Sequence, residues 1–215
     1  MKNGLPTIIT GIAIVVIIIS VLAIKLQAPK TECSSIEKDT LRDTCYADLG
    51  ILKGDINLCD KAKNDKSKFY CYEKIAENSN ITALCEQIED PYWGDICFKY
   101  MGTQKNDAQL CTKIDETKKR DACFDDVGRD TLEPQWCQQI IDYPDRVSCF
   151  SYVGKQKRSS EVCDMSGQPE RDICKYNVAV GINDTQICDK IGFSKMRSMC
   201  KARIGEKINA TSTVP

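Results

Sequence analysis

The 215-residue sequence contains no histidine. That absence removes the commonest general base, histidine-assisted nucleophiles, and most zinc and haem ligand sets. Of its 14 cysteines, no two stand as Cys-x-x-Cys, which excludes zinc-ribbon, c-type haem and thioredoxin spacing. Neither charge sign dominates: 30 Lys and Arg face 31 Asp and Glu, for a net charge of −1. No basic patch of the nucleic-acid type stands out, so no nucleic-acid partner is expected. The one dense acidic run, Asp125-Asp126-Val127-Gly128-Arg129-Asp130, lacks the alternating ligand order of an EF-hand and reads as a solvated face. No catalytic residue, metal ligand or cofactor is expected, and no strand pattern is present.

The cysteines set the organisation. They fall in seven pairs: Cys33/Cys45, Cys59/Cys71, Cys85/Cys97, Cys111/Cys123, Cys137/Cys149, Cys163/Cys174 and Cys188/Cys200. The step within a pair is 12 residues, except 11 for Cys163/Cys174, and the step between pairs is always 14. A repeat of 26 residues predicts an elongated array instead of one globular core.

Each unit carries two helical signatures. An apolar residue precedes the first cysteine (Leu58, Leu84, Leu110, Trp136, Val162, Ile187), and an isoleucine follows three later (Ile36, Ile88, Ile114, Ile140, Ile191). These positions form one narrow apolar stripe, with Asp55, Asp107, Glu133, Ser159 or Asp184 placed as N-cap, and predict an A helix of about eight residues. After the second cysteine come an aromatic in five copies (Tyr46, Tyr72, Phe98, Phe124, Phe150), an apolar residue four on, and a small residue five on: Gly50, Ala76, Gly102, Gly128, Gly154, Ala179, Gly205. Gly54, Asn80, Asn106 or Asn183 stands nine on, where a left-handed residue ends a helix. Pro91, Pro144 and Pro169 suit a first turn. The B helix is therefore predicted at about fifteen residues. Its internal glycine costs helix propensity by roughly 1 kcal/mol, which suggests close approach of a neighbour; the alternative is that the helix stops at the glycine. With helices packed 8–10 Å apart, the seven units make a rod of roughly 60–70 Å.

Pairing the cysteines within units uses all fourteen, whereas pairing across the 14-residue step strands Cys33 and Cys200; within-unit pairing is favoured. Local loops of this size each add on the order of 3 kcal/mol in the chain-entropy account. A redox role would need a thiolate in a singular environment, but here one environment recurs seven times. A cation lies three before the second cysteine in six copies (Arg42, Lys68, Arg120, Arg146, Arg171, Arg197) and is expected to pair with acids such as the A-helix N-caps.

Leu5–Ile24 is twenty residues without a charge, enough for a helix of about 30 Å that crosses the hydrocarbon core. An uncleaved membrane anchor is expected; a cleaved signal peptide or a pilin-type leader cut after Gly4 are the rivals. Disulfides belong to oxidising compartments, so the C-terminal side faces outward, or is secreted if the segment is cleaved. Residues 1–30 thus form an anchor and short linker, 31–207 the array, and 208–215 an unpatterned, disordered tail. Three sequons, at Asn80, Asn183 and Asn209, offer glycosylation sites. The A-to-B edge carries the most varied residues, among them Tyr92, Trp93 and Tyr143, and is the candidate partner contact.

The unit, as in DAQLCTKIDETKKRDACFDDVG, resembles cysteine-containing helical repeats of uncharacterised membrane-anchored proteins, chiefly archaeal. The likeness covers Thr31–Lys207 and rests on the cysteine spacing and on the Leu-Cys-x-x-Ile and Arg-Asp-x-Cys-aromatic runs. A looser, architectural likeness is to Sel1-like and tetratricopeptide solenoids. What the resemblance implies is an anchored helical array, without a known activity. The expected fold is all-α: a transmembrane helix followed by a disulfide-stapled α-solenoid of seven hairpins. The expected role is an outward-facing scaffold that binds a protein or surface partner; a structural envelope spacer is the alternative. Thiol labelling of the native protein, without denaturant, is expected to find essentially no reactive cysteine; seven or more would contradict both stapling and compartment.

Overall fold

The computed structural model of the chain describes residues 33–212. The anchor reading of Leu5–Ile24 and the linker to Thr31 lie outside the described residues. Among those described, no helix is long and apolar enough to cross a membrane, and every regular element is helical.

Seven short A segments alternate with seven long B helices. The A segments are Cys33–Ser35, Ile56–Cys59, Thr82–Gln87, Ala108–Cys111, Pro134–Cys137, Glu161–Met165 and Thr185–Asp189. The B helices are Asp39–Lys53, Asp65–Ser79, Pro91–Lys105, Thr117–Thr131, Tyr143–Lys157, Glu170–Ile182 and Ser194–Ser212. The first five B helices have the expected 15 residues and run past their small residue, so that residue does not end them. The A segments are shorter than expected, a short turn of 3 to 6 residues. They stop near the cysteine because the isoleucine three on closes a tight turn onto it, as in Ile114 N–H to the Cys111 carbonyl at 3.2 Å. The chain then leaves helical geometry to enter the next B helix.

The caps follow the sequence closely. Asp55, Asp107 and Asp184 accept from the backbone N–H two residues on, as does Ser159. Glu133 departs from this: its Oε2 takes the Trp136 indole N–H instead. B helices end at left-handed residues, Gly54, Asn80, Asn106 and Asn183, and also at Leu132 and Arg158, where a Cβ makes that conformation unfavourable by about 1–2 kcal/mol. The turn is held from beyond the helix. In five units the next N-cap N–H returns to the small residue's carbonyl, for example Asp107 to Gly102 at 2.9 Å and Asp55 to Gly50 at 3.0 Å.

Disulfides join each pair within its unit: Cys33–Cys45, Cys59–Cys71, Cys85–Cys97, Cys111–Cys123, Cys137–Cys149, Cys163–Cys174 and Cys188–Cys200, with Cα–Cα distances of 5.5 to 5.7 Å. No free cysteine remains among the described residues. The surroundings of three pairs correct the uniform unit expected from sequence. Cys45, Cys97 and Cys174 are each bonded to a cysteine on a 3-10 turn, Cys33 in Cys33–Ser35, Cys85 in Thr82–Gln87 and Cys163 in Glu161–Met165, where an α-helical A segment is expected. Ile81, before the second of these turns, has no side-chain acceptor, and before the third Ser160 makes no side-chain cap while Ser159 takes the Glu161 N–H. The B helix of Cys174 is also shorter than expected, at 13 residues, with Pro169 as its N-cap instead of in its first turn. The one-residue deletion between Cys163 and Cys174 is thus taken up at the start of the B helix, which begins four residues before its cysteine where the others begin six before theirs, and the bond keeps the same Cα–Cα distance, 5.6 Å.

Each small residue of a B helix faces the following unit. A methyl group on Gly102 would stand 3.0 Å from Cys123 Sγ, and one on Gly128 3.1 Å from Cys149 Sγ. On Gly50 it would come within 2.7 Å of Cys71 Sγ. In the last unit nothing described lies within 4 Å of such a group on Gly205.

A second inter-unit tie is made by an aspartate that in three of its four copies belongs to the Arg-Asp-x-Cys run. An aspartate two residues before the second cysteine is buried in four units: Asp43, Asp95, Asp121 and Asp172. Each carboxylate accepts two successive backbone N–H groups from the A-to-B turn of the following unit. Asp43 takes Lys63 and Asn64, Asp95 takes Asp115 and Glu116, Asp121 takes Ile141 and Asp142, and Asp172 takes Gly192 and Phe193, all at 2.8–3.1 Å. Charge-assisted bonds of this kind are about twice as strong as neutral ones.

The basic residue three before the cysteine serves the same turn within its own unit. Arg42, Arg120, Arg146 and Arg197 donate to the carbonyls of Ile36, Ile114, Ile140 and Ile191 at 2.7–3.2 Å. The expected pairing with A-helix N-caps is thus corrected: among the described residues these arginines bind turn carbonyls, and Arg42 and Arg146 add carboxylates of B-helix first turns, Asp39 and Glu170. The reason is reach, since the guanidinium lies over the A-to-B turn, at the opposite end of the A segment from its cap. The expected tail is also corrected. The last helix continues through Asn209 to Ser212, past the position nine after the cysteine at which the other B helices have turned left-handed.

The packing and the carboxylate grip can each be tested by substitution. Gly128→Leu is expected to destabilise by about 1–3 kcal/mol through overpacking, whereas Gly205→Leu is expected to be near neutral in the same denaturant titration. For Asp172, burial raises the carboxyl pKa, but the Gly192 and Phe193 N–H groups together outweigh it and hold the group below its ordinary value. Its contribution is therefore present above the unfolded pKa of about 3.9 and lost as pH falls through the lower folded value. Asp172→Asn is expected to lower stability by about 1–3 kcal/mol at neutral pH, with the difference shrinking in acid; a pH-independent difference would contradict the grip.

Candidate functional site

One face of each B helix packs on the A segments and carries the cysteines. That buried face hardly varies: its residue four after the cysteine is Ile75, Met101, Val127, Val153, Val178 or Ile204, all at most 3 % exposed. The other face lies open, and its repeat positions change character from unit to unit. Four before the second cysteine stand Leu41, Ser67, Trp93, Lys119, Asp145, Glu170 and Met196; one before it stand Thr44, Tyr70, Ile96, Ala122, Ser148, Ile173 and Met199.

Three depressions lie along this open face. The first, of about 310 Å³, is bounded by Thr44, Ala47 and Asp48 of unit one, Lys66, Ser67 and Tyr70 of unit two, and Trp93 of unit three. The second, of about 500 Å³, spans Glu73, then Tyr92, Ile96, Lys99, Tyr100 and Thr103, then Lys119 and Asp126. The third, of about 380 Å³, lies between units six and seven and is almost wholly apolar, with Ile173, Tyr176, Phe193, Met196 and Met199.

The first two meet at Tyr92 and Trp93, whose rings touch edge to face at 5.3 Å between centroids. Tyr92 is 56 % exposed. Lys119 lies over its ring at 4.1 Å and also pairs with Glu116 at 2.6 Å. Burial opposes the Lys119 charge, but Glu116, Asp95 and Tyr92 together raise its pKa. Deeper in the groove Lys74 sits 5.6 Å from the Tyr100 ring and 5.9 Å from that of Tyr70. It bonds Glu77 at 2.6 Å, and Tyr100 donates to the same carboxylate at 2.7 Å. Those two donors hold the Glu77 carboxyl below its ordinary pKa. Neighbouring Glu73 is pushed up by burial despite Lys74. Further along, Arg129 lies 5.0 Å from the Tyr152 ring and bonds Asp125 at 2.7 Å. The arrangement is a row of aromatic faces alternating with cations, suited to stacking and charge-assisted contact.

The expected contact residues are only partly brought together. Tyr92 and Trp93 sit in the first turn of their B helix and look onto the open face, not along a loop edge. Tyr143 occupies the first position of its B helix, 38 % exposed, and lines none of the three depressions. Tyr70, Tyr100, Lys74, Lys119 and the Met196–Met199 pair join the face without having stood out in the sequence. Their signal was present as variation at the positions four and one before and three after the second cysteine. Asn80 and Asn183 occupy the same left-handed turn position and are exposed or partly so; Asn209 lies in the last helix. No family model, curated protein or solved structure matches the chain.

Proposed function

We propose that the protein is a membrane-anchored, extracytoplasmic interaction scaffold that engages a protein or cell-surface partner through the open face of its B helices. The observation that carries the proposal is the contrast between faces. Buried positions repeat nearly unchanged, while the open face concentrates Tyr70, Tyr92, Trp93 and Tyr100 beside Lys74, Lys99 and Lys119 in and around two adjoining depressions. Exposed aromatics with paired cations are the side chains that dominate binding energy at interfaces. A rod that only sets a spacing would leave all faces alike.

The anchor rests on Leu5–Ile24, and the outward orientation on the consistent pairing of fourteen cysteines, which fits an oxidising compartment. The sequons at Asn80 and Asn183 agree with that orientation: their turn rim is distinct from the aromatic grooves, so glycans there would leave the binding face free.

Photo-cross-linking in cells of the native host tests the proposal. Tyr92→p-benzoylphenylalanine in the full chain is expected to yield a discrete heterologous adduct. Leu52→p-benzoylphenylalanine, at a site 82 % exposed near the end of the unit-one B helix, is expected to yield none. Equal adducts at both sites, or adducts only with copies of the chain, would overturn the binding reading and favour the spacer.

A further inference from the structure

The inter-unit ties are not equal. The aspartate grip closes the junctions after units one, three, four and six. Two junctions lack it, because Phe69 and Val147 stand at the aspartate position and are buried. After unit five the loss is made good by side chains. Arg146 binds the Glu170 carboxylate of unit six through both Nε, at 2.9 Å, and Nη2, and Asn177 donates to Ser151 at 3.1 Å. Arg146 and Glu170 are largely buried, where screening is weak.

After unit two no comparable substitute is present among the described residues. The A-to-B turn of unit three offers the N–H groups of Glu89 and Asp90, and Phe69 gives them no acceptor. The polar ties across this junction are Tyr100 to Glu77 at 2.7 Å and Lys105 Nζ to the Asn80 carbonyl at 2.9 Å. Both are made by side chains at least partly open to solvent. The first of them lies in the proposed binding face, between the two aromatic depressions, and both depressions cross this junction.

We infer that the junction between units two and three is the bending point of the array, with the Tyr100–Glu77 hydrogen bond as its latch. A partner that occupies the aromatic face would act on that latch and so set the angle between units one and two and the rest of the array. The bending itself does not depend on the binding proposal, since it is a property of the chain alone, and it is measured without a partner.

The test is pulsed electron-electron distance measurement with nitroxides on non-natural residues, which leaves the disulfides intact. The pair at Lys66 and Gln104 spans only the junction between units two and three; the pair at Lys118 and Lys157 spans only the gripped junction between units four and five. The first pair is expected to give a distance distribution about twofold wider than the second, as collective motion between packed units would. Phe69→Asp supplies the missing carboxylate and is expected to narrow the first distribution alone. Should that variant fail to fold, Tyr100→Phe is expected to widen the same distribution while leaving the second unchanged. Equal widths for the two pairs in the wild-type chain, or a first distribution unmoved by Tyr100→Phe, would overturn the inference.

Discussion

Cohesion along the array depends on the close seating of each unit against the small residue of the unit before it, a cystine sulfur at Gly50, Gly102 and Gly128 and the Val178 side chain at Gly154. A 26-residue hairpin is too small to hold a core by its own apolar burial. The disulfide closes the hairpin, and its sulfur atoms become part of the surface that the next unit offers to its neighbour. The fit leaves no room: beside Gly50, Gly102 and Gly128 even a methyl group would crowd a cystine sulfur. In five units, though not at Gly128, the same glycine or alanine accepts through its carbonyl the N–H that returns from just beyond the helix. One position therefore couples the end of a B helix, the start of the next A segment and the packing of the next disulfide.

The polar ties sit on this frame without competing with it. The buried aspartate takes two N–H groups of the next unit's turn, and the arginine one residue earlier satisfies a carbonyl of its own unit's turn. Burying a carboxylate is costly unless its lone pairs are matched; at Asp43, Asp95 and Asp172 backbone N–H groups of the turn match both oxygens, whereas at Asp121 both N–H groups go to Oδ2 and Oδ1 is buried without a partner. Since sulfur packing, turn and aspartate carboxylate all act on the inward side of the B helices, most positions of the outward side are free to vary. That freedom is what allows Trp93 and Lys119 to stand at one repeat position and Tyr70 and Ile96 at another.

The period, the pairing of cysteines, the length of most B helices and the role of the small residue were legible in the sequence, because each is a one-dimensional regularity with a direct physical cause. The A segments are shorter than their pattern suggests because the apolar stripe continues past the cysteine to Ile114 and its equivalents, although the chain there has already turned. The 3-10 turns bonded to Cys97 and Cys174 escape the pattern too, since the cysteines on them, Cys85 and Cys163, keep the 14-residue step from the pair before. The aspartate grip was hidden for a different reason. Asp43 and Asn64 are 21 residues apart, and a charged residue in a helix reads as solvated until its neighbours are placed. The binding face was legible only as variation. Tyr92 and Trp93 are recognisable by type, but not by direction: Pro91 marks the start of the helix, and which way its first turn faces is set by the neighbouring units.

The disulfides hold the units together as packed structure and are not merely compatible with it. Far-UV circular dichroism of the array before and after complete reduction and alkylation tests this most directly. The helical signal is predicted to collapse on reduction, because each unit loses its closure and the surface on which its neighbour rests. A reduced chain that kept its helical content and melted cooperatively at an unchanged temperature would contradict it.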